Sequence, residues 1–138
     1  MKLLLPLLLL ASATFAMEPS NHTPSLAGSS WIVTGLADAE PLAGHPVTFE
    51  FDEQGGISGD ASCNHFGGEC AIEGDKITVT RVRSTRRACE EPVMAQERSF
   101  LALLGSAQTW FITAEDELVL RGPEGEIKAH RRPQDTQD

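Results

Sequence analysis

The alternation of apolar and polar residues predicts a chain built mostly of short strands. Val47, Phe49 and Phe51 alternate with polar residues, which is the period of a strand with one buried face. Turn residues separate the other apolar runs, and seven further strands are predicted in this way: 31–36, 57–61, 69–72, 76–82, 109–113, 118–121 and 126–130. Glycine-containing turns precede 57–61 and 76–82, so we expect each to return beside the preceding strand as a hairpin.

A single stretch has the pattern of an amphipathic helix. Pro92 suits the first helical position, and Gly105 is suited to end the helix in a left-handed conformation. One stripe of this helix carries Val93, Glu97, Phe100, Leu101 and Leu104. Strands, one helix and then strands predict an α+β fold, mainly an antiparallel β-sheet curled around one α-helix. We place this domain at residues 28–130, between a flexible tether at 17–27 and a polar tail at 131–138.

An apolar leader precedes the predicted domain. Residues 1–16 carry one basic residue, Lys2, then a leucine-rich run and small residues at Ala13 and Ala16, which is the pattern of a secretory signal peptide. A membrane anchor is disfavoured because about 18 apolar residues are needed to cross a bilayer and Pro6 interrupts a shorter run. We expect cleavage after Ala13 or Ala16.

Charge and location narrow the classes of partner. The formal net charge is −9, and it becomes −10 when Lys2 leaves with the leader. An acidic chain is repelled by nucleic acid and by anionic membrane surfaces, so neither is expected as the general partner. No cysteine lies near the cleavage site to carry a lipid, so the mature protein is not expected to be membrane-anchored. We therefore expect a periplasmic or secreted protein whose partner is an unidentified envelope component or protein.

The cysteines raise the questions of metal binding and nucleophilic catalysis. Four residues have the chemistry of metal ligands: Cys63, His65, Cys70 and Cys89. Their spacing fits no standard ligand motif, and cysteines of exported proteins more often form disulfides. Cys63 could act as a nucleophile with His65 or His130 as its base, but no local signature supports such a pair. We therefore expect a noncatalytic chain without a metal or cofactor.

Loop entropy leaves the choice of disulfide open. It favours a Cys63–Cys89 loop over a Cys63–Cys70 loop by only about 1 kcal/mol. Both pairings, with the third cysteine unpaired, therefore remain compatible with the residues alone.

Two motifs follow one another in a set order. The first is Cys63-Asn64-His65-Phe66-Gly67-Gly68, and the second is Thr85-Arg86-Arg87-Ala88-Cys89, which precedes the predicted helix. Together with the closing three-strand meander, this order resembles the META/HslJ family, the DUF306-type small domains of the bacterial envelope. The resemblance covers about residues 26–130 and implies a noncatalytic domain linked with envelope and heat-shock stress.

The resemblance also implies roles for particular residues. It supplies cysteines at the positions of Cys63 and Cys89 but not of Cys70, so it implies a Cys63–Cys89 disulfide with Cys70 unpaired. The motif residues that it marks as structural are Asn64, Phe66, Gly68, Thr85 and Arg86. Members of the family are often lipoproteins, but the membrane anchor does not carry over to a chain without the necessary cysteine.

Four arginines crowd into residues 81–87 of this acidic chain: Arg81, Arg83, Arg86 and Arg87. Arg81 and Arg83 are expected to share a strand face. Two interpretations stay open for the cluster. The arginines could pair with carboxylates on neighbouring strands, or they could form an anion site. The carboxylates within reach of the predicted strands are Glu50, Glu69 and Glu73.

We expect the motif residues Asn64 and Arg86 to stabilise the fold, and the remaining arginines to contact a partner. Asn64 can hold a tight loop by bonding local backbone, and Arg86 is expected to bond backbone carbonyls or Glu97 of the helix. Arg83 and Arg87 are then the candidate partner surface. The predicted function is an exported binding or stabilising module of the cell envelope. The alternative is a secreted inhibitor of a hydrolase, such as a protease or lysozyme.

We predict that the mature protein lacks the leader. Intact-mass spectrometry of the protein from its native host should give the mass of a chain that begins after Ala13 or Ala16. A mature product that keeps residues 1–16 contradicts export and removes one argument for the disulfide.

Overall fold

The computed structural model describes residues 2–4, 11–14 and 25–133. Its regular elements are β1 (Ser30–Leu36), β2 (Thr48–Phe51), β3 (Gly56–Asp60), β4 (His65–Glu73), β5 (Lys76–Ser84), α1 (Glu91–Ser106), β6 (Thr109–Ile112), β7 (Glu117–Gly122) and β8 (Gly125–Arg131). The strands and the helix lie where the hydrophobic pattern predicts them, although β4 begins at His65 rather than at Glu69. In the described ranges, no helix is both long and apolar enough to cross a membrane.

The strands close into an eight-stranded antiparallel barrel. Each strand pairs with its neighbours in chain order, and β8 returns to pair with β1, from Trp31↔Arg131 to Leu36↔Ile127. The predicted antiparallel sheet with one packed helix is thus confirmed in outline, and closure into a barrel is the more specific result. Closure pairs β1 with β8, so neither strand has the free edge that the first and last strands of an open sheet expose.

The helix completes the core beside the weakest join of the barrel. Only Lys76↔Thr109 pairs β5 with β6 among the described residues, and α1 connects these two strands. Phe100 of α1 is fully buried, with its ring centroid 6.3 Å from that of Phe49 and 5.3 Å from that of Phe66. Aromatic packing of this kind joins the helix to β2 and β4 through the barrel interior.

The C-terminus of α1 differs from the prediction. Gly105 lies inside the helix, outside the left-handed region, and α1 continues to Ser106. Ala107 follows with φ −60°, and its N–H donates to the carbonyl oxygen of Leu104 at 3.3 Å. The predicted left-handed glycine cap is therefore wrong. The end of the helix instead requires a glycine in β7, because the two backbones approach closely there. A Cβ at Gly122 would lie 2.2 Å from the carbonyl oxygen of Ser106.

The domain extends past its predicted limits at both ends. Leu26, assigned to the tether, is 2% exposed in the core, and the Gly28 N–H donates to the carbonyl oxygen of Phe51 at 2.8 Å. Arg131, assigned to the tail, ends β8, and its guanidinium bonds both carboxylate oxygens of Asp116 at 2.9 and 3.1 Å. This contact lowers the pKa of Asp116. Most of the predicted leader, tether and tail lies outside the described residues.

A bulge interrupts β5 in the arginine-rich segment. Arg83 pairs with Gly67 and Thr80 pairs with Glu69, so β5 has one more residue than β4 over this interval. Arg81 lies in the bulge with φ 54°. The expectation that Arg81 and Arg83 share a face assumed unbroken alternation, which the bulge removes. Arg81 instead places its Nε 3.6 Å from a carboxylate oxygen of Glu69 at the surface.

Candidate functional site

Asn64 lies at the centre of a buried polar network at one end of the barrel. It follows the turn after β3 and is 3% exposed. Its Nδ2 donates to Oε2 of Glu97 at 2.8 Å and to the carbonyl oxygen of Arg87 at 3.2 Å. Its Oδ1 accepts from the Thr85 hydroxyl at 3.0 Å and from the Arg87 N–H at 2.6 Å. The side-chain amide therefore uses all of its hydrogen-bonding positions.

Glu97 brings a buried carboxylate from α1 into this network. Its side chain is 5% exposed, and Oε1 accepts from the backbone N–H of Asn64 at 2.7 Å and of Cys63 at 3.3 Å. No basic side chain pairs with Glu97 in the part of the chain that the structure describes. The N–H donors of the turn after β3 therefore stabilise this carboxylate in place of a counter-charge.

A disulfide joins the same two segments covalently. Cys63 and Cys89 are bonded across 26 residues of sequence, with their Cα atoms 6.1 Å apart. The predicted pairing is confirmed, and Cys70 is the free cysteine. The disulfide and the Asn64 network thus hold the turn after β3 against the segment between β5 and α1.

Gln96, next to Glu97 on α1, fixes a second loop. Its Oε1 accepts from the Leu42 N–H at 2.7 Å, and its Nε2 donates to the carbonyl oxygen of His45 at 2.9 Å. Nε2 also donates to the Ser62 hydroxyl at 3.0 Å. The loop between β1 and β2 therefore has a fixed turn at Leu42–His45, from which the Leu42 side chain is exposed.

The guanidinium groups of the arginines lie outside this network, although the backbone of Arg87 is part of it. Arg86 is exposed, and its guanidinium makes no hydrogen bond or ion pair with any described residue. The expected structural role of Arg86, as a donor to backbone carbonyls or to Glu97, is therefore wrong; Asn64 and the turn backbone donate to the two oxygens of Glu97 instead. Arg83 and Arg87 are exposed as well, and their side chains are equally unpaired within the described ranges.

A shallow groove runs beside Arg83. Its volume is about 390 Å³, and it is lined by His65, Phe66, Gly67, Arg83, Ser84 and Thr85. The groove therefore joins the first sequence motif to the start of the second. Phe66 is a core residue, whereas His65 is exposed and contacts the carboxylate of Asp60.

The other candidate chemistry is dispersed. The disulfide removes Cys63 and Cys89 from the imagined metal cluster, and no group of metal-ligating side chains forms within the described residues. Cys70 lies farther along β4 and is buried, which raises the pKa of its thiol to about 11. A thiol of this kind is mostly protonated at neutral pH and is a weak nucleophile.

The sequence analysis missed the hydrogen-bonding role of Gln96 and gave Glu97 a different partner from the one observed. The helical period that predicts the stripe also places Gln96 near its buried side, and both residues are indeed buried. Two adjacent polar residues on the buried side of the helix are the signal that would have predicted these hydrogen bonds.

A steric constraint explains Gly68 of the first motif. A Cβ at this position would lie 3.1 Å from the carbonyl oxygen of Thr80.

A family model described as META domain matches residues 24–134 of the chain. The NMR structure of a protein from Burkholderia xenovorans is similar, at 26% identity and a TM-score of 0.67, covering 90% of this chain and 97% of that one. A second NMR structure has 21% identity and a TM-score of 0.63, covering 76% of this chain and 90% of that one. No curated protein matches the chain.

The barrel is also similar to a crystal structure of a DUF4847 family protein from Bacteroides vulgatus. That similarity has a TM-score of 0.56 at 15% identity and covers 80% of this chain and 96% of the other. At this identity the likeness concerns the fold alone.

We predict that Asn64→Ala destabilises the protein by about 2–4 kcal/mol, because the buried Glu97 carboxylate and the Arg87 backbone lose their partner. Arg86→Ala is the matched control, and its free energy of unfolding should change by less than about 0.5 kcal/mol, since its side chain is exposed. Urea unfolding with the disulfide intact measures both. Equal losses in the two variants contradict the assignment of Asn64 as the centre of the network.

We predict that Cys70 reacts slowly with iodoacetamide in the folded protein at pH 8, and faster as the pH approaches about 11. Burial raises the folded pKa from 9.0, so this group's contribution to stability is present below about pH 9 and is lost as the pH rises toward 11. In urea without reductant, one thiol per chain should react, and Cys70→Ser should leave none. A labelled Cys63 or Cys89 peptide under these conditions contradicts the disulfide.

Proposed function

Because the chain belongs to the META domain family, we propose that it is an exported, noncatalytic binding module of the cell envelope whose partner contacts Arg83 and Arg87. The disulfide supports export, since such bonds persist in oxidising compartments outside the cytoplasm. The signal-peptide pattern of the leader supports the same location.

One observation carries the proposal of a binding surface. Arg83, Arg86 and Arg87 are exposed cations without an internal partner among the described residues, on a chain of net charge −9. The segment that carries them is held by Asn64 and by the Cys63–Cys89 disulfide. A surface that is already rigid loses less conformational entropy on binding, and a local positive patch attracts anionic groups.

The chemistry of the other groups supports a noncatalytic role. Glu97 uses both carboxylate oxygens to hold the turn before β4, and the disulfide consumes two of the three thiols. The remaining thiol, Cys70, is buried with a raised pKa. A nucleophile or general base needs a free, accessible atom beside its substrate, and these groups are committed to the fold.

A role in envelope stress follows from the family resemblance and suits the construction of the domain. A closed barrel has no long free sheet edges, and a disulfide that closes a 26-residue separation stabilises a small domain by about 3–4 kcal/mol. Both features oppose unfolding of the segment that carries the proposed binding surface.

We predict that Arg83→Glu with Arg87→Glu weakens capture of the partner from envelope extract by about tenfold, because both changes turn an attraction into a repulsion. The melting temperature should stay nearly unchanged, since both side chains are exposed. Lys128→Glu with Arg132→Glu is a charge-matched control on exposed residues remote in sequence, and it should retain the partner. The proposed surface is wrong if the Lys128→Glu, Arg132→Glu variant loses the partner while the Arg83→Glu, Arg87→Glu variant keeps it.

The alternative function, a secreted hydrolase inhibitor, is favoured by one observation. The Leu42–His45 turn is exposed yet fixed through Gln96, as a loop that enters an active-site cleft should be. An inhibitor that acts through this turn keeps its partner in the charge-reversed variant and loses it in Leu42→Asp. That pair of results overturns the arginine surface in favour of the turn.

A further inference from the structure

The segment between β5 and α1 has the hydrogen-bonding pattern of an edge strand. The Thr85 N–H donates to the carbonyl oxygen of His65 at 3.0 Å, and the Arg87 N–H donates to Oδ1 of Asn64 at 2.6 Å. Alternate N–H groups that point to the same side are the signature of extended backbone. The intervening N–H and carbonyl groups of Arg86 therefore point away from β4.

The outward side of this segment is unpaired. The backbone groups of Arg86 and Ala88 make no hydrogen bond with any residue that the structure describes, and both residues are exposed. β5, which leads into the segment, pairs with β6 only through Lys76 within the same described residues. Thr85 to Ala88 is thus an exposed sheet edge with free donors and acceptors, and such an edge can template a further strand.

The side chains along this edge are cationic on both faces. Side chains alternate along an extended chain, so Arg83 and Arg87 lie on one face and Arg86 on the other. Arginine guanidinium groups form paired hydrogen bonds with carboxylates. An added strand with carboxylates at alternate positions can therefore bond the edge through its backbone and the arginines through its side chains.

We propose that the 85–88 edge binds an extended acidic peptide segment of a partner protein by β-strand addition, with Arg83 and Arg87 receiving the carboxylates that alternate along one face of the added strand. This inference rests on the proposed binding function and names the class of partner. Backbone pairing gives affinity in such complexes, and side-chain contacts give specificity.

The charge of the whole chain favours a peptide over an anionic membrane. A flat anionic surface faces the protein's net charge of −9 as well as its arginines, whereas a peptide meets only the edge. The edge also matches a strand in chemistry, because the segment that carries Arg86 and Arg87 also has free N–H and carbonyl groups at Arg86 and Ala88. A single phosphate or carboxylate ion uses none of the free carbonyl groups.

The test compares peptides of equal charge on the folded, disulfide-bonded protein. The probes are an end-capped peptide of alternating Glu and Thr, and the same peptide with every backbone nitrogen methylated, which has no N–H donor in either register. The unmodified Glu–Thr peptide should bind about tenfold more tightly than the methylated one, because a methylated nitrogen cannot donate to the free carbonyl groups of the edge. Binding should shift the Arg86 and Ala88 amide resonances and slow their hydrogen exchange.

Variants and other anions complete the test. Arg83→Glu with Arg87→Glu should weaken Glu–Thr binding by about tenfold, and Lys128→Glu with Arg132→Glu should leave it unchanged. Equal affinity for the two peptides, or binding of inorganic phosphate at the same strength, overturns strand addition. Binding to vesicles of anionic lipid without binding to the Glu–Thr peptide overturns it in favour of a membrane.

The outcomes separate this inference from the proposed function. If the peptides fail to bind while capture from envelope extract still depends on Arg83 and Arg87, strand addition is wrong and the binding module stands. If capture persists in the charge-reversed variant, the proposed surface itself is wrong.

Discussion

The buried carboxylate of Glu97 is the constraint on which one end of this barrel depends. A buried charge costs several kcal/mol unless hydrogen bonds replace the water that it loses. Its donors come from Cys63 and Asn64, so the turn after β3 must lie over α1. Asn64 then bonds Thr85 and Arg87 with the rest of its amide, so the helix, the turn and the following segment form one unit.

The barrel has its least sheet pairing between β5 and β6. Among the described residues one residue pair joins these strands, and α1 lies between them in the chain. Phe100 of α1 packs on Phe49 of β2 and Phe66 of β4, so aromatic contacts anchor in the barrel interior the helix that connects β5 to β6. The disulfide then ties the start of α1 to the turn before β4. Helix packing, polar network and covalent bond thus act on neighbouring segments.

This construction explains why the cations are free to act outward. The network is satisfied by amide, hydroxyl and backbone groups, and the guanidinium groups of Arg83, Arg86 and Arg87 make no internal pair within the part of the chain that the structure describes. An exposed group of cations on an acidic protein gives this segment a local potential opposite in sign to the net charge of the chain. A fold does not by itself specify a function, so the proposed role rests on this surface.

The sequence alone determined the strands, the helix and the family, because each depends on short patterns: alternation in strands, one stripe in the helix, and two motifs in order. Only the tertiary structure decided the closure of the barrel, the place of Leu26 in the core and the partner of Glu97. Asn64 and Glu97 are 33 residues apart, so no local pattern could choose Asn64 over Arg86. Which residue pairs with Glu97 depends on where the donor atoms lie in space. Those positions are set only when the turn, the disulfide and the helix are packed together.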